Sequence, residues 1–221
     1  MLLRAVLFDL DGTLIDSVPL IVASMRHAFE GHANAPTDAD WVAMIGTPLE
    51  GMIRRWAADA ADAEHLKERY KQHQWAHHDA MVRPFPGVPE LLAALSARGL
   101  PMAVVTSKMR ASAERSLCHL GMDGHFRAVV GLEATRRHKP DPEPVRHALA
   151  ELGTDPAGAA FVGDSPHDVR AGNAAGVATV AGLWGPFDRA ALAESRPAAF
   201  AGTPADVLGV LDALEWPPAA S

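Results

Sequence analysis

The sequence predicts an α/β fold, a Rossmann-like parallel sheet interrupted after its first strand by a helical insertion. Three observations predict it. Short continuous apolar runs recur along the chain, each ending in polar or glycine-bearing residues. Helix-period segments alternate with them, and one long stretch after the first run carries no buried-strand pattern. Continuous apolar runs mark strands buried on both faces, as in parallel sheets whose crossovers are helices.

The first strand is read in Leu2 to Leu10, aliphatic until it reaches Asp9-Leu10-Asp11-Gly12. The pattern then turns helical through VPLIVASMRHAFE, PLEGMIRRWAADA and AEHLKERYKQHQWAHHDAMV, and Pro84-Phe85-Pro86-Gly87 closes it. Residues 17–83 are therefore assigned to an inserted α-helical cap domain, and residues 1–16 and 84–221 to the core. Later strands are expected at Pro101 to Thr106, Ala128 to Leu132, Ala159 to Val162 and Ala178 to Leu183. Val88 to Arg98, Ala111 to Leu120 and Pro142 to Leu152 are the helices between them. Gly99, Gly121 and Gly153 sit just past their ends, as helix-terminating residues do. The terminal WPPAAS reads as a frayed tail.

The 221-residue chain is 48% hydrophobic and 21% charged, enough to build a core without staples. Its one cysteine, Cys118, excludes an internal disulfide and a thiolate-rich metal centre, and fits a reducing compartment. Between Leu117 and Leu120 it reads as a buried small hydrophobe. A net charge of −7 repels phosphate backbones, so nucleic acid is not an expected partner. No run approaches the ~20 apolar residues that span a bilayer, and no signal-peptide cleavage pattern opens the chain. A cytoplasmic protein, monomer or homodimer, without membrane attachment is the expectation.

Four charged stations fall at predicted C-terminal strand ends: Asp9 with Asp11, then Thr106, then Lys139, then Asp164 with Asp168. Ligands bind at that edge of an open α/β sheet. Two carboxylates about 4 Å apart repel by about 4 kcal/mol at an effective dielectric of ~20. Lys139 brings one positive charge, too little for the group. A hard divalent ion with oxygen ligands, Mg²⁺ by preference, resolves the repulsion and also suits phosphoryl oxygens.

Asp9-Leu10-Asp11-Gly12-Thr13-Leu14, Val105-Thr106-Ser107, His138-Lys139-Pro140 and Gly163-Asp164-Ser165-Pro166-His167-Asp168 resemble, in order and spacing, the four motifs of the haloacid dehalogenase (HAD) superfamily. The resemblance spans the chain, the inserted helical cap included. It implies a phosphohydrolase with an aspartyl-phosphate intermediate on Asp9, and with Asp11 as general acid and then general base. Thr106 and Lys139 would hold the phosphoryl group. Mg²⁺ would be bound by Asp9, the backbone carbonyl of Asp11 and Asp164, with Asp168 supporting it. The family's dehalogenases carry a non-acidic residue where this chain has Asp11, which argues against dehalogenation.

For the substrate, Tyr70 to Val82, Val105 to Arg110 and Lys139 to Val145 resemble PpaX-type inorganic pyrophosphatases. Ile45-Gly46-Thr47-Pro48-Leu49 resembles phosphoglycolate phosphatases. Both resemblances imply a small anionic phosphate substrate, met by Gly46, Arg54, Ser107 and Lys108. A sugar-phosphate mutase of the β-phosphoglucomutase kind shares the nucleophile, but its cap signature is not matched by Met44-Ile45-Gly46-Thr47-Pro48. A catalytically silent phosphate-binding protein on the same fold is the alternative from another class.

His73 and His77 stand four apart, as paired zinc ligands on a helix do, yet no further ligand accompanies them. They read, with His78 and Asp79, as a polar helix face toward solvent or the cleft. Trp41, Trp56, Trp75, Trp184 and Trp216 read as packing residues. The G-x-x-x-x-G-K-[ST], G-x-G-x-x-G and G-x-S-x-G patterns are absent, which removes support for a P-loop, a dinucleotide site and a serine elbow.

Overall fold

The computed structural model describes residues 3–216. The chain opens with β1 (Ala5–Phe8) and β2 (Ile15–Asp16), then passes through α1 (Val18–Ala28), α2 (Asp38–Val42), α3 (Leu49–Arg54) and α4 (Ala60–Met81). It returns through β3 (Arg83–Pro84) and α5 (Val88–Ala97) to β4 (Met102–Val105), α6 (Arg110–His119), β5 (Ala128–Val130) and α7 (Glu143–Leu152). It finishes with β6 (Ala159–Gly163), α8 (Pro166–Ala175), β7 (Ala178–Gly182), α9 (Arg189–Glu194), β8 (Ala199–Ala201) and α10 (Val207–Ala213).

Six strands form one sheet in the order β5-β4-β1-β6-β7-β8, with every pairing parallel. The α/β expectation is borne out, and the reason for the apolar runs is visible. Val6 and Phe8 of β1 pack with Leu92, Leu117 and Leu211 on one face, while Ala5 and Leu7 pack with Val145, Leu149 and Ala171 on the other. Because successive side chains point to opposite faces and both faces are covered, each central strand is apolar throughout. β1 lies between β4 and β6, so the chain departs to either side of it. That reversal opens a crevice beyond the carboxyl ends of the central strands.

The five anticipated strands are present; four are shorter than expected, with Leu10, Thr106, Leu132 and Leu183 beyond the ladders, while β6 runs one residue further, to Gly163. β8 was not anticipated: AFA is three residues on the sheet edge, only partly buried, and writes no apolar run. Nor was α2, which is too short to show a period and is held instead by the Thr37–Asp40 capping box. The short helices α9 and α10 escaped for the same reason.

Helices α1–α4 share a hydrophobic cluster of their own, with Met25, Phe29, Trp41, Ile53 and Leu66 at its centre. α1 lies along α4. Both crossings between this helical excursion and the sheet are joined, since Ile15 pairs with Pro84 and Asp16 with Arg83 in an antiparallel two-stranded ribbon.

Two packing expectations are corrected. Cys118 is exposed: α6 turns Ala113, Ser116 and Leu117 inward, and Cys118 stands about 100° further round the helix. Trp75 is 64% exposed, whereas Trp41 is buried. The tail expectation lies, from residue 217 on, outside the described residues. No helix among the described residues is long and apolar enough to cross a membrane.

Candidate active site

The site is built where β1, β4 and β6 end. Asp9 directly follows β1, and its backbone N–H still donates to the Val162 carbonyl at 2.9 Å, so the sheet fixes its position. The chain then folds sharply, the Leu10 carbonyl accepting from the amides of Leu14 and Ile15, both at 3.0 Å. Gly12 takes φ +90°, and a Cβ there would lie 2.4 Å from Asp164 Oδ2. Only glycine satisfies both the left-handed backbone and the close approach.

Asp164 follows β6, and one of its oxygens, Oδ1, accepts from the Thr13 hydroxyl. The other, Oδ2, is buried with no hydrogen-bond partner among the described residues. Ser165 caps α8, and Asp168 in the first turn reaches back to the Ser165 N–H at 3.0 Å and hydroxyl at 2.6 Å. The Lys139 ammonium bridges the group, donating to Asp9 Oδ1 at 2.7 Å, Asp168 Oδ1 at 2.6 Å and the Val105 carbonyl at 3.0 Å.

Burial first, and the Asp168 charge second, push the Asp9 carboxyl up to about 7 despite Lys139. The same two causes raise Asp164 well above the ordinary carboxylate range. Burial works to depress Lys139, but Asp168 and Asp9 outweigh it and the lysine is raised, so it stays an ammonium. The cluster is therefore short of positive charge. Asp9, Asp164 and Asp168 each offer an oxygen within 4.8 Å of the others. This donor set, with the orphaned Asp164 oxygen, fits a hard divalent cation.

Asp11 stands apart from that cluster. Its Oδ1 accepts from Lys108 Nζ at 2.6 Å and from the Ser17 hydroxyl. Thr106 continues β4, donating its N–H to the Val130 carbonyl at 3.0 Å, and its hydroxyl oxygen accepts from the Lys108 N–H at 3.2 Å. Ser107 Oγ donates to the Gly46 carbonyl at 2.7 Å, joining the sheet edge to the helical excursion. Both oxygens of Asp168 carry hydrogen bonds, Oδ1 from Lys139 and Oδ2 from Ser165, and it remains one of the three carboxylates whose oxygens lie close enough to share a metal.

Above these groups opens a cavity of about 590 Å³, whose lining includes Asp9, Asp11, Gly46, Thr106, Ser107 and Lys108. Arg54 is not part of that lining. Met52 and Ile53 turn inward on α3, and Arg54 faces solvent with its guanidinium on Glu50. The expected substrate contact is corrected accordingly. Tyr70, Trp75 and His78 of α4 and Arg115 of α6 do line the cavity. Trp75 and Arg115 were missed as site residues. The four-residue spacing of Tyr70, Gln74 and His78 was the available signal for a shared helix face.

His78 Nδ1 meets Asp79 Oδ1 at 2.7 Å and its Nε2 meets Ser116 Oγ at 2.7 Å, so it ties α4 to α6. Burial holds its pKa below the usual value. His73 stacks between His27 and His77, with centroids 4.9 and 4.1 Å away. The three aspartates, rather than these imidazoles, are the cluster among the described residues able to hold a metal.

The parallel sheet and its acidic, lysine-bridged edge define an α/β enzyme of the phosphatase type. The chain belongs to the haloacid dehalogenase-like hydrolase family, whose model matches residues 6–182. It is similar to pyrophosphatase PpaX of Halalkalibacterium halodurans, 38% identical over 178 residues that cover 80% of this chain and 82% of the relative. The N-acetylmuramic acid 6-phosphate phosphatase of Pseudomonas aeruginosa is 35% identical over 192 residues, 84% of either chain. Among solved structures, one described as a predicted phosphoglycolate phosphatase from Haemophilus somnus superimposes with a TM-score of 0.85 at 27% identity. It covers 94% of this chain and 97% of that one.

Proposed function

We propose that the protein is a Mg²⁺-dependent phosphohydrolase that takes its substrate's phosphoryl group onto Asp9 and passes it to water. The observation that carries the reading is the buried Asp9–Lys139–Asp168 bridge beside the orphaned Asp164 oxygen. Lys139 holds Oδ1 of Asp9, leaving the other oxygen to bond to phosphorus as the bond to the leaving group breaks. Asp11, oriented by Lys108 and Ser17, gives its proton to the leaving oxygen. It then takes a proton from the water that releases Asp9. The Thr106 hydroxyl and Lys139 meet the phosphoryl oxygens, which concentrates fixed positive dipoles and charge where the transition state develops negative charge. Asp9, Asp164 and the Asp11 carbonyl would hold Mg²⁺, which would supply the remaining charge compensation.

In this reading residues 17–83 are a cap. It swings on the β2–β3 ribbon, excludes water while the phosphoryl group is transferred, and opens for product release. The substrate is a small phosphorylated compound from the range named for the relatives: pyrophosphate, phosphoglycolate or an amino-sugar phosphate. The single cysteine and the absence of a membrane-crossing helix among the described residues are consistent with a cytoplasmic setting.

Phosphate release by the pure protein, with Mg²⁺ and with EDTA, tests the reading over pyrophosphate, 2-phosphoglycolate, sugar phosphates and p-nitrophenyl phosphate. Release is expected with Mg²⁺ and not with EDTA. Asp9→Asn is expected to lower turnover on the order of 10⁴-fold or more. A variant that kept the wild-type rate would remove Asp9 as the nucleophile.

A further inference from the structure

Two large hydrophobic side chains are left exposed among the described residues, Trp75 at 64% and Met109 at 48%, and both line the cavity above Asp9. One comes from α4 and the other from the segment just before α6, so both the excursion and the sheet edge supply an apolar wall. Ile45, Leu49, Met52 and Leu132 continue that wall. Exposed apolar surface gathered at one concave place marks a binding site rather than a solvated face.

Trp75 is also held in place. The Arg115 guanidinium carbon lies 4.0 Å from the indole centroid. One nitrogen of that guanidinium donates to the Trp75 carbonyl at 3.1 Å and the other to Asp79 at 3.0 Å. An aromatic ring fixed before binding loses little freedom when a ligand stacks on it.

The charges of the lining point the same way. Asp9, Asp11 and Glu68 stand against Lys71, Lys108 and Arg115, so the wall carries no excess of positive charge. Lys108 and Arg115 are already engaged, with Asp11 at 2.6 Å and Asp79 at 3.0 Å. The second phosphate of pyrophosphate would bring its charge against a largely apolar surface where Lys71 is the lining cation left to meet it, which offsets only part of the desolvation cost. A carbon-rich leaving group fills the same space favourably.

We propose that the substrate is an organic phosphomonoester whose alcohol carries a bulky apolar face, and that Trp75 and Met109 are the residues that select it. The inference rests on the phosphohydrolase reading and favours a bulkier organic ester over pyrophosphate and phosphoglycolate.

Benzyl phosphate and methyl phosphate make the test, because their alcohols are nearly equal as leaving groups and differ in the apolar face. The wild type is expected to favour the benzyl ester about tenfold or more in kcat/KM, chiefly through KM. The non-hydrolysable benzylphosphonate and methylphosphonate, titrated into the Mg²⁺-loaded protein by calorimetry, are expected to show the same preference in Kd. Trp75→Ala should collapse both ratios toward one, and Trp75→Phe should restore most of them. Equal handling of the two esters and of the two phosphonates, ratios that survive Trp75→Ala, or pyrophosphate turned over far faster than benzyl phosphate would each overturn the proposal. Absence of Mg²⁺-dependent release from every compound would sink the phosphohydrolase reading instead, and the phosphonate affinities would still decide whether the apolar seat exists.

Discussion

At the sheet edge the charges are buried and interlocked, whereas the ion pairs of α1–α4 lie at or near the surface. Lys139 has 2% of its side chain exposed and reaches two carboxylates and a carbonyl. Arg54, with 65% exposed, meets Glu50 one helical turn away. Each is a cation beside a carboxylate, but their consequences differ. Removing one partner of a buried pair leaves an uncompensated charge that water cannot reach, while an exposed residue's partner is simply resolvated. The sheet edge is thus organised around charge, and the facing helices around shape.

Lys139→Met is the sharpest way to break that contrast. It should lower turnover by on the order of 10²-fold or more. It should also cost about 3 kcal/mol of stability, read by denaturant unfolding in EDTA at pH 8, because Asp9 and Asp168 then face each other unpaired. Stability near wild type in the absence of metal would show that the cluster is not held by this lysine.

The unaltered protein in EDTA gives the next effect. Asp9 is raised from 3.8 to about 7, so between these values the folded state binds the extra proton and stability falls as pH rises. Asp164, raised by the same causes, adds to the slope. The loss by pH 8 should amount to a few kcal/mol, on the order expected for a shift of this size, and Mg²⁺ should recover most of it. A flat profile in EDTA, or no recovery, would mean that the carboxylates are compensated without a cation.

Gly46→Ala probes the seam between the two regions. Gly46 takes φ +93°, and an added Cβ would stand 3.0 Å from Ser165 Oγ. About 1–2 kcal/mol of backbone strain is expected, measured as a lowered Tm, together with a raised KM as the Ser107–Gly46 contact shifts. The smallest effect belongs to Arg54→Ala, expected to leave kcat/KM within about twofold, as surface positions usually do. A larger loss would return Arg54 to the substrate.

The sheet was legible because burial on both faces writes unbroken apolar runs, and its edge because Asp9, Thr106 and Asp164 each directly follow such a run. The cavity wall was not. Arg54 adjoins two residues that turn inward, and Cys118 adjoins a buried leucine, so neighbourhood in sequence did not tell which way either pointed. Trp75 reads in the sequence as a packing residue, as tryptophans usually are. Its exposure depends on how α4 lies against α1 and α6, a tertiary fact with no local signature. The Thr37 capping box, by contrast, is legible as T-x-x-D, although the helix behind it is too short to show a period.

The pairing of Ile15 with Pro84 and of Asp16 with Arg83 has a consequence for descent. The polypeptide leaves and re-enters the sheet at one address, so what lies between can lengthen, shorten or be exchanged with little added loop-closure entropy at that junction. Asp9 takes its position from the sheet, through its bond to the Val162 carbonyl. The part of the cavity wall that the excursion supplies can therefore change while that carboxylate stays where it is.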